Sequence, residues 1–203
     1  QSIDRDAAAA VDWAEEHLFD LRSVVREHEL WRYALEIARG SGLTLADVKS
    51  ETSRRDYIRE AGGKLTTRNV LAREWEIVQL AKNGAWEHPT LALQHDKDGE
   101  GLADDQAQAL ARILDSRDFV TLFRGGAGTG KSFVLRRVQE ALRRGGYATR
   151  VLAPQRQQVL DLAKDGLGDT QTVAEFLTTR SVPGRAIVVI DEAGQIGARQ
   201  LLD

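Results

Sequence analysis

The chain has 203 residues, with 28 Lys and Arg against 31 Asp and Glu for a net charge of −3, and 42% of it is hydrophobic. That is enough apolar material for one or two globular cores and too much for a disordered chain. Its longest apolar runs, at 7–11 and 186–190, fall far short of the roughly 20 residues of a membrane helix; zero cysteines exclude disulfides, thiolate zinc sites and cysteine nucleophiles, and with no secretory signal the expected compartment is the cytoplasm.

The first hundred residues read as helices. Ala7, Ala10, Val11, Ala14 and Leu18 recur near the 3.6-residue period and predict a helix over 7–19. A second is expected over 29–39, with Leu30, Tyr33, Ala34, Ile37 and Ala38 on one face and Gly40-Ser41-Gly42 as its stop. The stretch 43–65 is mixed. A third helix starts near Arg68, with Thr66 or Thr67 as N-cap, and stops at Asn83-Gly84; Val70, Leu71, Trp75, Ile77, Val78 and Ala81 form its expected buried side. The four tryptophans, Trp13, Trp31, Trp75 and Trp86, all fall in this half and read as core residues rather than base-stacking ones. A polar stretch rich in Asp and Gly follows, so the chain divides into a helical domain over 1–90, a linker over 91–101 and a second domain over 102–203.

In the second domain strands and helices alternate: helix 102–115, strand 119–123, helix 132–144, strand 151–153, helices 157–164 and 173–177, and strand 186–190. The alternation predicts an α/β fold, a parallel sheet with flanking helices, behind a mostly α-helical domain. Charge follows the same division. Residues 1–100 hold 14 Lys and Arg against 19 Asp and Glu, and residues 101–203 hold 14 against 12, so the second half is the better surface for a polyanion. No internal repeat is visible. The absence of methionine, with a start at Gln1 and an end at Leu201-Leu202-Asp203, reads as an internal fragment of a longer polypeptide.

The chemistry concentrates in two motifs. Gly125-Gly126-Ala127-Gly128-Thr129-Gly130-Lys131-Ser132 satisfies G-x-x-x-x-G-K-[ST] between an expected strand and an expected helix. Glycines let consecutive N–H groups curl around phosphate oxygens, and the following helix turns its positive end to the same anion. Lys131 adds a point charge for the β- and γ-phosphates of ATP, and the Ser132 hydroxyl is a Mg²⁺ ligand. The second motif is Ile187-Val188-Val189-Ile190-Asp191-Glu192, four buried strand residues ending in two carboxylates at the sheet edge where α/β ligands bind. Asp191 is the second metal-side residue, and Glu192 the one that orients or deprotonates an attacking water.

These motifs, with Val-Leu-Ala-Pro at 151–154 and Thr172-Val173 before an apolar helix, resemble the first motor domain, an AAA/P-loop ATPase of RecA-like fold, of RecD-like superfamily 1 DNA helicases. Conjugative-transfer relaxase/helicases are the nearest resemblance. It implies an ATP hydrolase that moves 5′ to 3′ along single-stranded DNA during plasmid transfer, within a larger relaxase/helicase polypeptide. It makes Gln106, in Gly101-Leu102-Ala103-Asp104-Asp105-Gln106, the adenine reader. It puts DNA on Pro154, Arg156 and Thr172, although Gln155 stands where the family more often has Thr. More loosely it extends to Ala14-Glu15-Glu16-His17-Leu18, Ser23-Val24-Val25 and Leu65-Thr66-Thr67. The chain stops 11 residues after Glu192, so the later motor motifs and the transition-state arginine are not in it, and the fragment alone is expected to be weak or inactive. A P-loop NTPase or phosphotransferase acting on a small acceptor, without helicase activity, is the alternative.

Other features read as structural. His17, His28, His88 and His95 lack zinc-site spacing, and Tyr33, Tyr57 and Tyr147 read as packing residues. Arg136, Arg137, Arg143 and Arg144 read as the outer face of the helix after the phosphate loop, complementing the negative end of its dipole.

Overall fold

The computed structural model describes residues 6–91, 101–126 and 128–203. Ala127 of the phosphate loop and nearly all of the expected linker lie outside the described residues. The chain divides into two compact units, one of Gln1–Val78 with Gln195–Asp203 and one of Gln79–Gly194.

The first unit opens with helix α1, Ala7–Phe19, whose N-cap Asp6 accepts the Ala9 N–H at 2.8 Å. Strand β1, Val25–Arg26, leads into α2, Glu27–Ile37, and α3 spans Leu45–Arg54. Helix α3 is capped reciprocally, because the Asp47 N–H reaches Thr44 Oγ1 while Asp47 Oδ2 accepts from the Thr44 N–H. Strands β2, Tyr57–Glu60, and β3, Lys64–Thr67, form a hairpin, and β1 pairs antiparallel with the other edge of β3. This three-stranded sheet lies in a half expected to be mostly α-helical, largely in and just after the stretch 43–65 whose pattern is mixed. Its strands are two to four residues long, too short to show a period of two. The readable signal was the Gly62-Gly63 turn, where both residues take positive φ (+91° and +73°) as tight hairpin turns require.

The core of this unit is Ala10, Val11, Ala14 and Leu18 of α1 against Leu30 and Ala34 of α2, Val48 of α3 and Leu65 of β3. Beside it Arg55 reaches Asp12 (2.6 Å), Glu15 (2.8 Å) and Glu51 (2.9 Å), donates to the Ala8 carbonyl, and leaves its side chain only 19% exposed. Burial opposes its charge, but the three carboxylates outweigh that and hold its pKa above the usual guanidinium range. Tyr57, whose hydroxyl donates to Glu15, has its pKa raised by burial first and by that bond second. Helix α4, Arg68–Asn83, starts where expected, with Thr67 Oγ1 accepting the Val70 N–H at 3.1 Å. Its expected buried side is not buried. Val70 is, but Leu71, Trp75 and Val78 are 54%, 61% and 41% exposed. Trp86 is exposed as well, while Trp13 and Trp31 pack against the core as anticipated. Periodicity marks an apolar stripe and says nothing about whether another element covers it.

In the second unit α5, Asp104–Asp115, precedes the phosphate loop and α6, Lys131–Arg144, follows it. Strand β4, Ala148–Ala153, helix α7, Arg156–Lys164, strand β5, Thr170–Thr172, helix α8, Val173–Thr179, and strand β6, Ala186–Ile190, complete it. The sheet is parallel in the order β5-β4-β6, with Val151 level with Val189 on one side and Thr170 on the other. Parallel neighbours need crossover helices, and α7 supplies the one between β4 and β5. One apolar cluster joins Leu110 and Leu114 of α5 to Val134, Val138 and Leu142 of α6; another joins Leu135 to Val151, Val159, Leu162 and Leu167. Between them Gln139 is buried with its amide filled: it donates to Thr149 Oγ1 and the Gly168 carbonyl, and accepts the Gly168 N–H.

Two strand expectations need correction. Residues 119–123 form no strand; Phe119 N–H bonds the Gly84 carbonyl and Leu122 is 90% exposed. An apolar run becomes a strand only where another strand's edge accepts its ladder, and here β4 and β6 pair with each other. Strand β6 is where expected but not fully buried, with Val188 and Ile190, two residues apart and so on one face of the strand, both exposed. Among the described residues no helix is long and apolar enough to cross a membrane.

Candidate functional site

The loop before α6 takes its shape from glycines, two of them in a backbone conformation that other residues rarely adopt. Gly128 and Gly130 have φ of +75° and +77°, in the left-handed region that costs an L-residue roughly 1–2 kcal/mol. A Cβ on Gly125 would lie 2.8 Å from Thr129 Oγ1 and 2.9 Å from Lys131 Cγ, and one on Gly130 would lie 2.5 Å from Gln106 Nε2. The loop is thus wound against its own side chains and against α5. Thr129 Oγ1 closes it by donating to the Gly126 carbonyl at 2.9 Å. Gly130 is the N-cap of α6 and makes no side-chain cap bond, so the first N–H groups of a 14-residue helix face the loop.

Lys131 opens α6 and its Nζ lies 3.8 Å from Glu192 Oε1. Glu192 reaches that position from the end of β6. The Asp191 N–H bonds the Leu152 carbonyl at 2.9 Å, extending the ladder by one residue, and the chain then turns at Glu192 with φ of +51°. A non-glycine residue held there is strained, a condition that clusters at functional sites. Asp191 and Glu192 therefore stand at the C-terminal edge of the parallel sheet, the side on which open α/β sheets bind ligands.

Gln106 is the third element of the loop's setting. Its Nε2 donates to the Thr129 carbonyl at 3.0 Å and its Oε1 accepts the Ala103 N–H at 3.2 Å, so the amide links the first turn of α5 to the loop backbone. An open cleft of about 530 Å³ runs from Gly126, Gly128, Gly130, Lys131 and Ser132 to Phe133, Arg136, Lys164 and Asp165. Sequence reasoning missed these last four, and Arg136 corrects it. Rather than merely facing outward, it lines the cleft, its guanidinium 4.9 Å over the Phe133 ring. Its signal was the spacing from Ser132, four residues and so one helical turn. Lys164 and Asp165 come from another helix and had none.

The loop's donor set suits a polyphosphate: backbone amides, a helix start and one lysine, lined by glycines where a Cβ would intrude. Ser132 and Asp191 offer the hard oxygen ligands that Mg²⁺ takes. Among the described residues no three His, Cys, Asp or Glu side chains converge to hold a metal by themselves.

The three residues expected at DNA sit apart from the cleft lining. Pro154 follows β4. Thr172 ends β5 level with Ala153 and caps α8, its Oγ1 accepting the Glu175 N–H at 3.1 Å while Glu175 Oε2 accepts the Thr172 N–H at 2.8 Å. Arg156 starts α7 and pairs with Glu175 at 3.3 Å. The Thr172 backbone N–H first, its hydroxyl second and the Arg156 charge hold the Glu175 carboxyl below its usual range.

A parallel sheet with helices, a glycine loop at a helix start and an acidic pair at the neighbouring strand end define the class: a nucleotide-binding P-loop ATPase. Residues 101–203 match the family described as AAA domain, half of the chain, and the chain belongs to that family. No curated protein matches it.

Proposed function

We propose that this chain binds ATP with Mg²⁺ on residues 125–132 and hydrolyses it as part of a motor that moves 5′ to 3′ along single-stranded DNA, of the kind that serves conjugative transfer within a larger polypeptide. The observation that carries the ATPase reading is the convergence of Lys131 and Glu192 across the mouth of a left-handed glycine loop. Loop amides and Lys131 stabilise the charge that develops on the β- and γ-phosphates. Glu192 orients a water and takes its proton as the water oxygen bonds to the γ-phosphorus and the bond to the ADP oxygen breaks, a contribution of roughly 10²- to 10⁴-fold. Ser132 and Asp191 would hold Mg²⁺, which when bound neutralises phosphate charge. The DNA part rests on the resemblance, and is supported by Pro154, Arg156 and Thr172 lying at the C-terminal ends of adjacent parallel strands, the edge that also carries Asp191.

The test is thermal unfolding of the chain with Mg·ATP, since a ligand of the folded state raises the melting temperature, followed by phosphate release with and without single-stranded DNA in the proposed larger polypeptide. The chain should be stabilised and Lys131→Ala should not. Stimulation of turnover by DNA supports the motor. Transfer of phosphate to a small acceptor instead of water overturns it in favour of a phosphotransferase.

A further inference from the structure

In the first unit a helix, a strand, two helices and a hairpin follow one another, and the sheet has the order β1-β3-β2. This is the arrangement of a winged helix, a helix-turn-helix whose second helix is flanked by a β-hairpin. A fold does not name a partner, so the exposed face has to. Helix α3, the second of the pair, buries Val48 and Thr52 and exposes Ala46, Lys49, Ser50 and Ser53, one stripe at i, i+3, i+4 and i+7, with Arg54 at its end. Both acids of α3 are engaged. Asp47 accepts from the Thr44 hydroxyl and N–H at 2.6 and 2.9 Å, and Glu51 accepts from Arg55 at 2.9 Å. Trp31 of α2 donates to Thr52 Oγ1 at 3.0 Å and Arg59 of β2 donates to the Thr52 carbonyl at 2.7 Å, so two neighbouring elements anchor the helix. The hairpin tip, Ala61-Gly62-Gly63, is exposed, and a Cβ on either glycine would meet nothing within 4 Å. Arg26 stands level with Lys64 across the β1–β3 ladder, both exposed, with Glu60 level with Lys64 on the other side.

We propose that the first unit is a module that binds duplex DNA, with the exposed stripe of α3 in the major groove and the β2–β3 hairpin on the adjoining backbone. The major groove is about 12 Å wide and admits one α-helix, and in a helix-turn-helix it is the second helix that enters. Ala46, Ser50 and Ser53 keep that face low, so the helix comes close to the base edges that the two hydroxyls can bond. Lys49 and Arg54, with Arg26 and Lys64 on the sheet, meet phosphates, whose neutralisation supplies much of the affinity. The hairpin glycines let backbone N–H groups approach a phosphate with no side chain between. Residues 1–100 are acidic as a whole, 14 Lys and Arg against 19 Asp and Glu. Exposed acids such as Glu16 and Glu36 belong to α1 and α2, however, and not to α3 or the hairpin, and charges more than about 8 Å apart are largely screened at physiological salt. The module grips paired DNA, whereas the segment proposed above for the second unit takes a single strand.

The experiment follows a labelled blunt duplex of about 20 base pairs by fluorescence anisotropy, with the whole chain, between about 50 and 200 mM salt. The parent's affinity should fall steeply as salt rises. Lys49→Gln with Arg54→Gln should weaken duplex binding about tenfold and lower the salt slope by about two, one for each lost phosphate contact. Ser50→Glu, at an exposed residue outside the core, keeps both cations but sets a carboxylate against the DNA, and should weaken it at least as much. Circular dichroism melts that match the parent's report that these variants fold, and binding of an oligo-dT single strand should be as in the parent. If both variants bind the duplex as the parent does, if they weaken single strand and duplex alike, or if the parent shows no salt-dependent binding of the duplex, the proposal is overturned. ATP takes no part in the assay, so its outcome is independent of the phosphate-loop reading.

Discussion

Gly130→Ala is the substitution whose cost can be worked out most fully. Two separate terms act. Gly130 has φ of +77°, where alanine is destabilised by about 1–2 kcal/mol. Its Cβ would also stand 2.5 Å from Gln106 Nε2, so the Gln106 amide must leave the Thr129 carbonyl, and a lost hydrogen bond of this kind costs about 1 kcal/mol. Together they come to about 2–3 kcal/mol. For a unit of this size each kcal/mol moves the melting temperature by about 4 °C, so Gly130→Ala should melt about 10 °C lower. The two terms separate in a cycle with Gln106→Ala. Without the glutamine amide only the backbone term remains, and the coupling between the two substitutions should be about 1 kcal/mol. Circular dichroism melts of the parent, both single variants and the double variant measure it. If Gly130→Ala melts within 2 °C of the parent, or if the two substitutions are additive, the loop is not held by α5 in the way described.

Glu192→Gln keeps the side chain's shape and removes its basicity, so phosphate release by the larger polypeptide proposed above should fall by about 10²-fold or more while Mg·ATP still raises the melting temperature of this chain; equal turnover in both proteins would remove Glu192 from the reaction. Arg55→Met should destabilise the first unit by about 3 kcal/mol, because it leaves the half-buried Glu51 carboxylate without its guanidinium and Glu15 with the Tyr57 hydroxyl but no opposite charge, and urea unfolding within about 0.5 kcal/mol of the parent would contradict that. The pH prediction follows from carboxyls lowered in the folded state: Asp47 by the Thr44 hydroxyl and then its N–H, and Glu175 by the Thr172 N–H and then its hydroxyl. Their contribution is full at neutral pH and is lost as pH falls below the ordinary values of 3.8 and 4.5 toward the lowered folded ones. Helical circular dichroism should decline over that acid range, and less so in Asp47→Asn with Glu175→Gln, which has already lost both carboxylates; an identical acid transition in that variant would refute the assignment.

What could be read in the sequence was what short-range physics specifies. Helix α1 spans the expected 7–19, because its apolar residues repeat at the helical period and Asp6 supplies the cap. Strand β6 spans the expected 186–190, and the phosphate motif announces its own loop because glycines adopt those φ values beside a helix start without the steric cost other residues bear. Covering surfaces and pairing edges were left to the tertiary structure, since both depend on residues far away along the chain. The apolar stripe of α4 is mostly uncovered, the run at 119–123 found no ladder, and strands too short to alternate built the β1-β3-β2 sheet. The same holds at the site. Gly130, Lys131 and Glu192 stand out by local pattern, but that Arg136 shares a cleft with Lys164 and Asp165, and that Gln106 bonds the loop's own backbone, depends on how α5 and α7 dock beside α6. Docking is decided by which distant side chains fill a common core, here Leu110 and Leu114 against Val134 and Val138, and Leu162 and Leu167 against Leu135.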